Sequence, residues 1–203
     1  MTHDYGEKYY KKRENARRHM HTAMAIDEIS YRLGINPKSF LDIGCASGSL
    51  LTQLDRFFPN TKLVGIDHGS TPKDRFLVNG VFIDIDLDLV NADMIVKHDV
   101  LKEGFDVVAS IEVIEHVNKS NEEKLVETFA KLTNGVVFLS AAHPGQRGYG
   151  HVNCASREHW IQLFGVKGLE YNDKATHDFI KMMVAYNAAV SDKNLMVFLK
   201  TGG

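Results

Sequence analysis

Between residues 39 and 200 the chain keeps one rhythm: short apolar runs ending in Asp or Gly, each followed by a stretch with apolar residues at helical spacing. Repeated strand–helix units produce that rhythm, and they fold as a mostly parallel sheet with helices on both faces. The runs are SFLDIG (39–44), KLVGID (62–67), FDVVASI (105–111), GVVFLSAA (135–142) and LMVFLK (195–200). After the first, Leu50, Leu51, Leu54, Phe57 and Phe58 mark a helix that Pro59 and Asn60 end. The third strand is open between GVFIDID (80–86) and MIVKHD (94–99), since the segment between them and the second strand lacks a clear long helix. At 203 residues the chain is long enough for one sizeable core and short for two. The expectation is therefore one doubly wound, Rossmann-like α/β domain over 35–203, preceded by a helical segment over 1–34 that packs on it.

That leading segment is basic, with Lys8, Lys11, Lys12, Arg13, Arg17 and Arg18 interleaved with Tyr9 and Tyr10. Such a run is either a solvated helix face or a phosphate-binding patch for RNA. The formal net charge of -2 gives no global pull toward nucleic acid. Further along, Ser120 and Glu123 suggest a capping box for a helix carrying Leu125, Phe129 and Leu132. A short helix is expected around Trp160 and Phe164, both read as core, and another over 177–189. Cys45 and Cys154 are too few for a disulfide framework and no basic-then-apolar leader follows Met1, so the expected location is cytoplasmic. No apolar run approaches a membrane span, and no membrane partner is expected.

The first strand-to-helix turn carries the most chemistry. In LDIGCASGSL, Gly44, Ala46 and Gly48 alternate after Asp42. Small residues belong where a backbone turns sharply and lets a ligand lie against the amides of a helix N-terminus. A dinucleotide fingerprint would place its third glycine three residues after the second, which this turn does not do. The spacing resembles the first motif of the class I S-adenosylmethionine-dependent methyltransferases, an acidic residue followed by small residues in alternation. The resemblance covers about residues 39–140 and implies a seven-stranded sheet whose last strand is antiparallel. It also implies S-adenosyl-L-methionine as cofactor, held by Asp42, Gly44, Cys45, Ala46, Gly48, Asp67, His68, Asp99 and Ile111. Asp42 would order the turn and the donor's amino group. Asp67, ending the second run, would accept from the ribose hydroxyls. An acidic residue after the third strand would meet the adenine, with Asp99 the choice and Asp86 the alternative. Ala46 replaces the usual middle glycine, so its backbone is expected to avoid glycine-favoured conformations.

After the fourth run, IEVIEHV places Glu112, Glu115 and His116 at i, i+3 and i+4, which is one face if a helix starts there. The segment resembles the ExxEH motif of ubiquinone-pathway O-methyltransferases and small-RNA 2′-O-methyltransferases. That resemblance implies a divalent ion (Mg, Mn or Zn) on Glu112, Glu115, His116 and His151, the last from the loop HPGQRGYGHVN (143–153). The bland alternative is that these residues brace the fourth strand without a metal, leaving His116 or His151 as catalytic base. Arg147, Tyr149, His151 and Asn153 could read an acceptor, or the loop could be a plain glycine-rich lid. The expected activity is methyl transfer to the oxygen of a small-molecule or sugar-like acceptor. RNA is the alternative acceptor, and a non-catalytic donor-binding subunit and a nicotinamide dehydrogenase are rivals.

Overall fold

The computed structural model describes residues 16–68, 78–91, 94–95, 97–188 and 190–202. Strands β1 (Ser39–Ile43), β2 (Lys62–Asp67), β3 (Val81–Asp84), β4 (Phe105–Ser110), β5 (Thr133–Ser140), β6 (Leu169–Tyr171) and β7 (Leu195–Lys200) form one sheet in the order β3-β2-β1-β4-β5-β7-β6. The first five run parallel, and β7 is antiparallel to both β5 and β6. This is the expected doubly wound arrangement with the closing strand reversed.

Side chains on successive strand residues point to opposite faces, and here both faces are buried. Leu41, Ile43, Val64, Ile66, Val108, Val137, Leu139, Met196 and Phe198 pack on one side with Phe129 of α3 (Glu122–Leu132) and Trp160 and Phe164 of α4 (Arg157–Gly165). Phe40, Leu63, Val107, Ala109, Val136, Phe138, Leu195 and Val197 pack on the other with α1 (Ala16–Arg32), α2 (Ser49–Phe57) and α5 (Asp173–Ala185). Helix α1 sets Ala23, Ala25, Ile26 and Ile29 into this second layer, so the leading helix shares a core with the sheet. Residues 1–15, with most of the basic run, lie outside the described residues.

The structure settles the third strand in favour of the GVFIDID run. Val81–Asp84 pairs with β2 and brings Asp84 level with Asp67. The described residues of MIVKHD form no strand: the Met94 and Ile95 amides donate to the Asn91 carbonyl at 3.1 and 3.3 Å, and the His98 amide to the Ile95 carbonyl at 3.1 Å. Amides spent on local turns are unavailable for a sheet edge. The capping box also fails. A short 3-10 turn over Lys119–Asn121 takes up Ser120, and Asn121 stands at the N-cap of α3 with no side-chain cap bond. The helix expected over 177–189 starts earlier, at Asp173, because the Asn172 side chain accepts from the Ala175 amide at 2.8 Å. β6, of only three residues, had no periodic signal to betray it.

Candidate functional site

In a parallel sheet the loops after the strands gather at one edge, and the strand order reverses between β1 and β4, where such folds leave a crevice. Two segments meet there: the turn 44–48 and the stretch 111–117. Gly44 takes φ 79° and Gly48 φ 79°. A Cβ on Gly44 would collide with both methyls of Val113, so a glycine is needed there by backbone sign and by the neighbour across the crevice. Ala46 also adopts a left-handed backbone, φ 48°, contrary to the expectation that it would avoid glycine-favoured conformations. That costs an L-residue roughly 1–2 kcal/mol. What holds it is the Asp67 carboxylate, which accepts from the Ala46 amide at 2.6 Å and from the His68 amide at 2.7 Å. The Gly44 and Cys45 amides donate to the Ile66 carbonyl at 2.8 and 3.1 Å, so the turn is tied to the end of β2 along its length.

Two carboxyls face each other across this tie. Burial, and then the charge of Asp67, push Asp42 up to about 8, and burial raises Asp67 as well. A positive charge brought near Asp42 would favour its ionised form. Burial with the same two carboxylates holds the Cys45 thiol protonated. His68 stands half-exposed, its Nδ1 2.8 Å from Asp84 Oδ1, and that hydrogen bond raises its pKa. Asp84 was not singled out in the sequence, although an acidic residue within the GVFIDID run, two places before Asp86, was the available signal. Of the two carboxylates considered for adenine, Asp86 follows β3, while Asp99 opens a 3-10 turn ahead of β4, 92% exposed and paired with Lys102 at 2.6 Å. Among the described residues of MIVKHD there is no strand, which removes the reason for preferring Asp99. Ile111 lies just past β4, partly buried beside the second core layer.

The ExxEH stretch is not a regular helix. Glu112 has φ 60°, and only Ile114–His116 form a 3-10 turn. The kink parts the three side chains expected on one face. Glu112 turns to the neighbouring strands: its amide donates to Ser140 Oγ at 2.6 Å, and its Oε1 accepts from Ser140 Oγ at 2.9 Å and Asn194 Nδ2 at 3.1 Å. Glu115, fully buried, instead meets His116 and His151, with ligand atoms of the three within 4.8 Å of one another. His151 Nε2 lies 3.9 Å from Glu115 Oε1, and the two imidazoles stand edge to face at 5.0 Å. His116 Nδ1 is 3.1 Å from the Gly150 carbonyl. A carbonyl only accepts, so Nδ1 carries a proton, and in the neutral ring Nε2 holds the lone pair.

The loop 143–153 that delivers His151 is sewn onto this stretch, with the Val152 and Asn153 amides donating to the Glu115 carbonyl at 2.9 and 3.0 Å. Tyr149 is 63% exposed and Val152 47% exposed, leaving both at the rim. Asn153 is buried. Trp160 and Phe164 are core, as read from the sequence.

A family model described as a methyltransferase domain matches residues 16–174. Among curated relatives, the ubiquinone biosynthesis O-methyltransferase of Pseudomonas aeruginosa is 28% identical over 170 residues, 79% of this chain and 64% of that protein. Its counterpart in Shewanella pealeana is 27% identical over 118 residues, 57% of this chain and 48% of that protein. The chain thus spans about half to two thirds of the length of these relatives. Among solved structures, the plantazolicin methyltransferase BpumL in complex with SAH superposes with a TM-score of 0.66 at 16% identity, covering 96% of this chain and 88% of that one. That likeness concerns the fold.

Proposed function

The chain belongs to the methyltransferase-domain family, and we propose that it transfers the methyl group of S-adenosyl-L-methionine to an oxygen of a small-molecule acceptor. The observation that carries this reading is the small-residue turn after β1 tied by the Ala46 amide to the Asp67 carboxylate, beside the crevice between β1 and β4. The donor is a cation at its sulfur and its amino group, and the buried Asp42 with the partly buried Asp67 suits it. Gly44, Cys45, Ala46 and Gly48 would take the methionine portion, Asp67 the ribose hydroxyls, and His68, Asp86 and Ile111 the adenine side. Oxygen as the acceptor atom is supported by the names of the curated relatives.

Transfer is an in-line displacement. The methyl carbon leaves sulfur as it bonds to oxygen, the C–S pair stays on sulfur as S-adenosylhomocysteine, and the hydroxyl proton must go to a base. Holding the two reactants in line supplies most of the rate. Glu115, His116 and His151 fit a divalent cation, since a buried carboxylate and two imidazoles are a donor set for Mn or Zn more than for Mg. The carbonyl on His116 Nδ1 is the kind of outer contact that orients a metal-bound imidazole. Glu112 is left out of the set because its Oε1 is engaged by Ser140 and Asn194. When bound, the cation would supply Lewis-acid stabilisation of the acceptor oxygen. Without a cation the same imidazole lone pairs would instead be available to accept the acceptor's proton. Both cysteines are free thiols, which suits work in the reducing cytosol. Among the described residues no helix is long and apolar enough to cross a membrane.

The test is calorimetry of the whole chain with S-adenosylhomocysteine and, separately, NAD, followed by release of S-adenosylhomocysteine from S-adenosylmethionine over pooled phenols, sugars and short RNAs. Binding of the first ligand only, with turnover on a phenol or sugar, is expected. NAD binding in its place overturns the reading, binding without turnover on any acceptor makes the chain a donor-binding subunit, and turnover on RNA alone moves the acceptor class.

A further inference from the structure

We propose that Asn153 is the positioning residue of the Glu115, His116 and His151 group, setting the loop that carries His151 against Glu115. The inference rests on the reading of that group as a cation site.

His151 arrives from a stretch without regular secondary structure, so something other than a helix or strand must fix its ring. Three backbone contacts do part of this: Val152 N and Asn153 N to the Glu115 carbonyl, and His116 Nδ1 to the Gly150 carbonyl. The His151 ring is also met by Cys154 Sγ, 3.7 Å from its Nδ1. Asn153 reaches beyond the loop, its Nδ2 donating to Glu122 Oε2 at 3.1 Å. The same Glu122 oxygen lies 3.2 Å from His159 Nε2. Glu122 opens α3 and His159 belongs to α4, so one buried amide joins the group to both helices on that face of the sheet. The Asn153 side chain thereby ties the end of the loop to two packed helices. Gly148 shows how close the fit is, because a Cβ there would run into the His151 ring. The sequence suggested Asn153 as an acceptor-reading residue, but at 3% exposure it faces the protein.

The probe is Mn²⁺ alone, titrated into the whole chain by electron paramagnetic resonance, with S-adenosylhomocysteine affinity measured on the same samples. Asn153→Ala is expected to weaken Mn²⁺ binding by about 10-fold or more, the usual effect of losing an outer-shell partner, and to leave S-adenosylhomocysteine affinity unchanged. Asn153→Asp should be at least as damaging, since it sets a second carboxylate against Glu122. Asn153→Asp with Glu122→Gln exchanges donor and acceptor across the same bond and should restore most of the affinity. Should Asn153→Ala not fold, Glu122→Ala removes the bond from its other end and must show the same loss. A general weakening of the fold would lower both affinities together and ignore the exchange. Parental Mn²⁺ affinity in Asn153→Ala, or no recovery in the exchanged pair, overturns the proposal. Failure of the parent to bind Mn²⁺ instead overturns the cation reading, and this inference with it.

Discussion

The Ala46 amide and the Asp67 carboxylate meet at 2.6 Å, 21 residues apart in the chain. This bond fixes a left-handed alanine in the turn, and under the proposed donor site the same carboxylate would also meet the ribose hydroxyls. Asp67→Ala should therefore weaken donor binding by about 1.5–3 kcal/mol, roughly 10- to 100-fold, the range for losing a charged acceptor. Calorimetry with S-adenosylhomocysteine reads this directly. Parental affinity in a folded Asp67→Ala would mean the ribose lies elsewhere.

Asp42 predicts a pH dependence. Burial and the Asp67 charge push it up to about 8, so across the window from the unfolded value, about 4, the folded chain keeps a proton that the unfolded chain has released. Its contribution to stability is full below the unfolded value, falls as pH rises through the window, and is lost above the folded value. Asp42→Asn, which cannot ionise, should melt higher than the parent near pH ~9 and lose that advantage toward pH ~4. A pH-independent difference would exclude ionisation as the cause. Donor affinity in the parent should rise over the upper part of the window, with a proton released on binding, because a cationic guest favours the ionised carboxyl.

Gly44 is constrained from two directions, and a pair of substitutions separates them. Gly44→Ala should destabilise the fold by about 1–3 kcal/mol, through the left-handed backbone and the collision with Val113. Val113→Ala in the same chain should return part of the melting temperature by opening the space. If it returns none, the backbone alone sets the requirement.

Glu112 and Glu115 belong to one sequence motif yet serve different neighbours, which metal titration can show. Glu115→Gln should abolish Mn²⁺ binding, whereas Glu112→Gln, whose amide oxygen can still accept from Ser140 and Asn194, should retain it. Equal loss in both variants would put Glu112 back among the ligands. In assays of turnover, chelation should stop the reaction and leave donor binding intact; full activity in chelator would leave His116 and His151 as metal-free bases.

The sheet and the turn 44–48 were legible because they rest on local signals: β-branched apolar runs, small residues in alternation, and an aspartate closing β2. What stayed hidden depends on contacts across the fold. MIVKHD has strand composition, yet its amides fold back on Asn91 and Ile95, and nothing in its residues announces this. Helical spacing grouped Glu112 with Glu115 and His116, but Ser140 and Asn194, 28 and 82 residues away, draw Glu112 off that face. Likewise Val113 crowds Gly44 from across the crevice, so the reason for that glycine could be only half read from the chain.

The position of β7 sets an order of assembly. It lies between β5 and β6 in space but follows both in the chain. A growing polypeptide therefore presents β5 as an open edge until residues 195–200 emerge, the kind of unpaired edge that invites wrong partners during synthesis. Asn194, just ahead of β7, is made equally late. The turn 44–48 and the Ser140 bond to Glu112 do not need this segment, whereas the Asn194 bond to Glu112 waits for the stretch that carries β7.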